Sequence, residues 1–436
     1  MGTEKANRSG LLYFVVQSTL YLQTSNAEII LVLSKILGKG LLYCVGGPVA
    51  ILVLIAATVL IGGSIEHRFA TEFPKPTGPY AVGRTMYHWI DDGHDDEFAP
   101  NSGTKRELVV WAWYPAAVSG SRAEYLPSRW QAALSESSGG LMSKVLTRDL
   151  ARAHIYSTEN AALPPDRKPY PVLILRAGAS ALVTGYTALA EDLASHGYVV
   201  VGPDAPFRTA VVVLPDGRSL HRLAQNDVEE QPEGQKVALA TRLAGSWSTD
   251  IAFVLDKMAS LNAGDSAGRF TGRLDLQHVG VFGHSLGGAT AAYFCRVDAR
   301  CQAGVDLDGR LFGPVVETGL TQPFMFILEG HGSAEGETGK ILAQIDSMYS
   351  HLPANSRLKV SIAGSNHFSF TDQILLKSQV LLGLMRQTHV LGGLDGRRGL
   401  AITSDYLCTF FDVYLKGSPP AALEALRKKY PEAVVD

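Results

Sequence analysis

The chain has 436 residues, 46% of them hydrophobic and 19% charged, an ordinary globular composition that suffices for one large or two medium domains. Its 39 basic and 42 acidic residues leave a net charge of -3, so no basic field exists to hold phosphates and nucleic acid is set aside as a partner. Cys44, Cys295, Cys301 and Cys408 are too few for a disulfide scaffold and lack paired zinc spacing; Cys295 and Cys301 could bridge, but free buried thiols are the expectation.

In chain order, the first feature is GLLYCVGGPVAILVLIAATVLIGGSI, residues 40 to 65, which carries no charge over 26 residues. At about 1.5 Å per residue such a helix exceeds the roughly 30 Å hydrocarbon core. This predicts an N-terminal segment over 1–40 and a transmembrane helix over 41–65. A cleavable signal peptide fits worse, because the apolar core starts so far into the chain. Lys5, Arg8, Lys35 and Lys39 precede the span, whereas Arg68 and Lys75 are the nearest basic residues after it. That bias puts the N-terminus in the cytoplasm and the remainder on the extracytoplasmic side. The earlier run LLYFVVQSTLYL (11–22) is too short to cross, and Gly2 lacks the Ser or Thr at position six that myristoylation requires, Ala6 standing there.

Residues 66–104, with FPKPTGP and DDGHDDEFAPNSG, read as a linker and a surface loop. His88, Asp91, Asp92, His94, Asp95 and Asp96 cluster there, but they match neither a calcium-loop spacing nor a His-Glu-x-x-His helix. A solvated loop without metal is expected.

From 105 to 436 apolar β-rich runs alternate with amphipathic ones. Strands are predicted at 107–115, 170–178, 198–206, 278–285, 301–308, 323–330 and 357–364, most of them continuously apolar as in parallel strands buried on both faces. Helices are predicted at 186–197, 248–261, 290–297, 340–352 and 404–417, with Gly197 and Gly417 as C-terminal stops. The fold class is α/β, a mostly parallel sheet with helices on both faces. Segment 117–165 reads as a mostly helical, polar excursion.

The stretch VGVFGHSLGGATAAYF (279–294) places Ser285 between a predicted strand and a predicted helix, with Gly283, Gly287 and Gly288 around it. That is the pattern of a nucleophile elbow, in which a sharp turn lifts the hydroxyl above the sheet and aims a helix N-terminus at the reacting carbonyl. A serine that merely caps the helix would need no such flanks. A serine nucleophile needs a base, and the base a carboxylate to orient it, in the order Ser, acid, His. Asp308, at the tip of GVDLDG, is the preferred acid; Asp306 and Glu329 are its rivals. His367, in the loop after the last predicted strand, is the preferred base over His331, His351 and His389. His284 is expected to pack around the elbow. Backbone N–H groups of Leu286 and Ala179 are the expected oxyanion donors.

These residues lie within a wider resemblance. VVWAWYPA (109–116), EDLASHGYVVVGPDAPFR (191–208), GVFGHSLGGATAA (280–292), AGVDLDGRLFG (303–313) and GSNHFSFTD (364–372) resemble the plasma-type (isoform II) platelet-activating factor acetylhydrolase family. The resemblance implies an α/β-hydrolase fold preceded by the N-terminal helix, and a serine esterase acting without calcium or any other cofactor on short or oxidised sn-2 acyl groups of phospholipids at a lipid–water boundary. It also implies Ser285 as nucleophile, Asp308 as acid, His367 as base, and Ala179 and Leu286 as oxyanion donors. One departure is visible: Ala177-Gly178 stands where the family carries His-Gly. A general carboxylesterase and a catalytically silent binding protein are the alternative functions.

Overall fold

The structure, a computed structural model, describes residues 46–137, 147–330, 336–387 and 392–436. The strands are β1 (Thr71–Glu72), β2 (Ala81–Asp95), β3 (Lys105–Ala116), β4 (Arg122–Glu124), β5 (Ala153–Glu159), β6 (Tyr170–Arg176), β7 (Val199–Asp204), β8 (Val211–Val213), β9 (Ser219–His221), β10 (Leu274–His284), β11 (Cys301–Leu307), β12 (Phe324–Glu329), β13 (Arg357–Ile362) and β14 (Ala433–Val435). The helices that matter below are α1 (Gly46–Glu66), α2 (Thr187–Ser195), α3 (Glu233–Ala263), α4 (Leu286–Val297), α5 (Gly336–Ser350), α6 (Gln379–Gln387) and α7 (Gly396–Lys416).

One sheet runs β1-β5-β2-β3-β7-β6-β10-β11-β12-β13-β14, with β4 paired to β5. From β7 through β13 every neighbouring pair is parallel, while β2, β3 and β14 join antiparallel. The continuous apolar runs explain this: Val172 to Leu175 and Val199 to Val201 are fully buried because helices cover both faces. One face packs α2 and α7 through Leu189, Leu193, Phe410 and Phe411. The other packs α3, α4 and α5 through Ile251, Val254, Phe294 and Met348. Gly197 and Gly417 adopt left-handed φ of 93° and 73° at the ends of α2 and α7, as predicted. The arrangement is a mostly parallel α/β sheet, consistent with the α/β-hydrolase fold.

Four expectations change. Residues 81–95, expected in a linker and loop, form β2, which pairs with β3 from Ala81 to Asp91 and again at Asp95 after an irregularity. The sheet therefore begins well before residue 105. Part of this acidic cluster is paired: His88 Nε2 lies 2.9 Å from Glu107 on β3, His94 Nδ1 2.8 Å from Asp91 within the same strand, and Asp96, just past β2, accepts from Arg208 at 3.1 Å, while Asp92, His94 and Asp95 remain exposed. Segment 117–165 contains β4 and β5 as well as a helix at Ser128–Ser137. Cys295 and Cys301 form a disulfide, because the turn from α4 into β11 brings their Cα atoms to 5.0 Å.

The fourth concerns the apolar run, which is helical as α1. Among the described residues no helix is long and apolar enough to cross a membrane, so a spanning segment over 41–65 is not shown. Residues 41–45, like the run at 11–22, lie outside the described part. At the far end of α1 the Glu66 carboxylate accepts from the backbone N–H groups of Gln379 and Val380 (2.9 and 3.1 Å), a negative charge on the N-terminus of α6.

Candidate active site

β10 ends at His284 and α4 begins at Leu286, leaving Ser285 as the whole turn. Its φ of 56° and ψ of -124° are strained for a residue with a side chain, and its hydroxyl makes no capping bond to the helix. The helix-cap role is thereby removed. The turn closes only because its neighbours are bare: a Cβ on Gly287 would lie 2.2 Å from the Arg176 carbonyl oxygen, and one on Gly288 1.8 Å from Asp306 Oδ1. The Ser285 N–H donates to the Leu307 carbonyl at 2.9 Å, which ties the elbow to the end of β11.

Immediately past that end stands Asp308, with a left-handed φ of 55° that swings its carboxylate out of the sheet. Its Oδ1 accepts from the Glu329 N–H (2.9 Å) and its Oδ2 lies 2.7 Å from His367 Nδ1. His367 opens a short 3-10 turn, His367–Phe370, capped by the Asn366 side chain. Burial works against charge on both groups, but the mutual hydrogen bond and attraction outweigh it, lowering the Asp308 carboxyl and raising the His367 imidazole from their ordinary values. The carboxylate thus fixes the tautomer and leaves His367 Nε2 as the nitrogen able to exchange a proton.

Asp306, the rival, is fully buried; its Oδ1 accepts from the Gly309 N–H at 2.8 Å, and burial pushes its carboxyl well above the usual range. It lies under the elbow with no histidine contact, whereas Asp308 holds His367. His351 sits at the end of α5 on the Ser347 carbonyl oxygen, 2.8 Å away, and His331 and His389 lie outside the described residues.

The loop after β6 crosses directly over Ser285, a Cβ on Gly178 falling 3.3 Å from Ser285 Cβ. The Gly178 N–H is spent on Tyr186 Oη at 3.0 Å. Among the described residues the N–H groups of Ala179 and Leu286 have no hydrogen-bond partner, which suits donors reserved for a developing oxyanion.

Sequence reasoning missed a second array. Having accepted from Gly178, Tyr186 Oη donates to His284 Nδ1 at 2.9 Å, so His284 carries its proton on Nε2 and donates it to the His367 carbonyl oxygen at 2.8 Å. Burial, then the neighbouring His367, lowers the His284 imidazole to about 3. Tyr186 lies 98 residues from its partner, and no local motif signals such a pairing.

Among the described residues one group could surround an ion, Asp192, His196 and Cys408. Its carboxylate is already taken, however, by the N–H and hydroxyl of Thr77 and by the Ser404 hydroxyl.

A mostly parallel α/β sheet with a strained serine at a strand-to-helix turn, and an Asp-His pair on the following strand ends, defines a carboxylic ester hydrolase of the serine type. The chain belongs to the family described as platelet-activating factor acetylhydrolase, isoform II, whose pattern matches residues 66–416. It is 24% identical over 369 residues to the platelet-activating factor acetylhydrolase of Cavia porcellus, covering 79% of this chain and 78% of that one. It is also 24% identical over 404 residues to a probable 1-alkyl-2-acetylglycerophosphocholine esterase of Arthroderma benhamiae, covering 86% and 97%. Among solved structures, a ferulic acid esterase from Streptomyces cinnamoneus superposes with a TM-score of 0.69 at 26% identity, covering 84% of this chain and 99% of that one.

Proposed function

We propose that this enzyme hydrolyses the short sn-2 acyl ester of phospholipids, acetyl above all, through an acyl-Ser285 intermediate. The observation that carries the reading is the 2.7 Å Asp308–His367 contact beside a strained serine that caps nothing. Ser285 Oγ attacks the acyl carbon as His367 Nε2 takes its proton. Asp308 holds Nδ1 and stabilises the imidazolium, and the Ala179 and Leu286 N–H groups receive the oxyanion. Collapse expels the alcohol, which leaves with the proton from His367. Water, deprotonated by the same nitrogen, then attacks the acyl carbon and frees the serine.

The family and the Arthroderma relative support the phospholipid choice. Ala177, where the family carries His, bears on the choice of ester rather than on the chemistry, because alanine keeps the backbone amide. The decisive measurement compares kcat/KM for a 1-alkyl-2-acetyl phospholipid with that for p-nitrophenyl butyrate, with Ser285→Ala as the blank. A strong preference for the butyrate would replace this reading with a general carboxylesterase.

In this reading the catalytic part is held at a membrane on the extracytoplasmic side by the apolar run that continues into α1. Leu52, Val53, Leu54 and Ile61 are each more than half exposed (65%, 60%, 67% and 62%), an apolar surface suited to lipid. The Cys295–Cys301 disulfide supports the oxidising side. Carbonate extraction of membranes, followed by protease access from either side, tests both points.

A further inference from the structure

Beside the oxyanion loop opens a cavity of about 550 Å³, within the range of small-molecule sites. Ser180, Ala181 and Leu182 form one wall, continuing the chain from Ala179, and Thr371, just past the His367 turn, closes the same side. The cavity therefore adjoins the oxyanion loop, although Ser285, His367, Ala179 and Leu286 are not among its lining residues. Leu126, Leu134, Leu150 and Leu376 make part of its lining apolar.

Another part of its lining is basic: Thr147 and Lys377 pair in an isolated β-bridge, and Arg148, Lys377 and His67 all line the cavity. Lys377 Nζ donates to Thr147 Oγ1 at 3.3 Å, and Arg148 Nη1 to Thr71 Oγ1 at 3.3 Å. Both contacts are long and neutral. Arg148 Nε is buried without a partner, and burial lowers the Lys377 ammonium from its usual value. His67 Nδ1 is engaged by the Thr147 carbonyl oxygen at 3.1 Å. The acid on this wall, Asp149, is committed elsewhere: its Oδ1 accepts from the Ala151 N–H at 3.0 Å and its Oδ2 pairs with Arg152 at 3.3 Å. Among the described residues neither Arg148 nor Lys377 forms an ion pair. Two partly desolvated cations without a carboxylate are costly unless an anion arrives.

We propose that the basic part of this cavity seats the phosphate of the ester substrate, with Lys377 and Arg148 as its ligands. The leucine-lined part then holds the glycerol and acyl part. The assignment rests on the phospholipid reading above and adds to it which residues recognise the phosphodiester. A guanidinium and an ammonium supplied to one cavity by two chain segments can each give its oxygens a charge-assisted hydrogen bond.

The test uses two soluble substrates with the same acyl groups, 1,2-dibutyrylglycero-3-phosphocholine and 1,2-dibutyrylglycerol, and reads the ratio of their kcat/KM values. Lys377→Gln and Arg148→Gln should each lower that ratio about tenfold, the loss expected when a charged hydrogen-bond partner is removed. Lys377→Arg should restore most of it, which a merely misfolded cavity would not allow. A ratio unmoved by either substitution, in an enzyme that hydrolyses both substrates, overturns the phosphate assignment and leaves the phospholipid reading standing. Wild-type protein that cleaves only the uncharged ester overturns both. Activity lost on p-nitrophenyl hemiglutarate instead, with the phosphocholine ratio intact, would put the anion on the acyl side and likewise overturn the assignment.

Discussion

His284 Nε2 lies 2.8 Å from the carbonyl oxygen of His367, and the two imidazole rings are 4.4 Å apart between centroids. His284 therefore holds the backbone of His367, the proposed base, with its own tautomer set by Tyr186. Because burial keeps His284 neutral, down to about 3, this link does not titrate in the working range. Substituting His284 by Leu removes the tether, and a displacement of the base by an ångström is enough to cost about 10²-fold in kcat. KM for p-nitrophenyl butyrate should change far less, and the acid limb of the pH profile should stay where it is. An unchanged kcat in the variant would show that the tether has no positioning role.

The acid limb itself belongs to His367. Catalysis needs the neutral imidazole, and Asp308 raises the pKa of that ring, so kcat/KM should fall as pH drops through a value above the ordinary histidine pKa. Asp308→Asn removes both the charge and the preferred tautomer. The expected loss in kcat is about 10⁴-fold, with the residual limb displaced to lower pH. A pH–rate series on both proteins checks the direction. A limb that moves upward in the variant would mean that another group controls it.

Much of this was legible because local rules and tertiary demands agree. β6, β7 and β12 are apolar over nearly their whole buried length, as parallel strands covered on both faces must be, and Gly283 and Gly287 are dictated by backbone contact, so both the central sheet and the elbow could be read from residue type. The contact between Asp308 and His367 joins two residues that the sequence places after strand ends. β2 was hidden because its end, Asp91 to Asp95, has turn composition and loses register there; pairing with β3 from Ala81 to Asp91 makes the rest a strand. The Tyr186–His284–His367 array and the Arg148–Lys377 pair join segments that are far apart in sequence, and nothing local encodes such meetings. The disulfide depended on a turn whose geometry the spacing of two cysteines does not specify.

Gly288 offers a test of packing beneath the elbow. Its α-carbon faces Asp306, and an added methyl would fall 1.8 Å from Oδ1 of a carboxyl that has no room to retreat. Gly288→Ala should destabilise the protein by roughly 2 kcal/mol or more in urea unfolding, despite the helix propensity that alanine adds. Gly288→Ala with Asp306→Ala should recover part of that loss, since the second change removes the clashing atom. Failure of the double variant to regain any stability would point to backbone contacts, such as that with Gly283, as the true obstacle.

The Cys295–Cys301 bridge closes a loop with a sequence separation of only 6, from the end of α4 to the start of β11. A loop so short restrains the unfolded chain modestly, by about 2 kcal/mol in the chain-entropy description. It also pins α4, whose N-terminus faces the nucleophile, to the strand that delivers Asp308. The double substitution to serine should therefore lower unfolding stability by about that amount while kcat at 25 °C stays within roughly twofold, because Ser285 and Asp308 sit at the opposite ends of both elements. Thiol titration in denaturant should reveal two more reactive groups after reduction than before. Equal titres before and after reduction would mean that the bridge does not form, and the support it lends to an extracytoplasmic location would go with it.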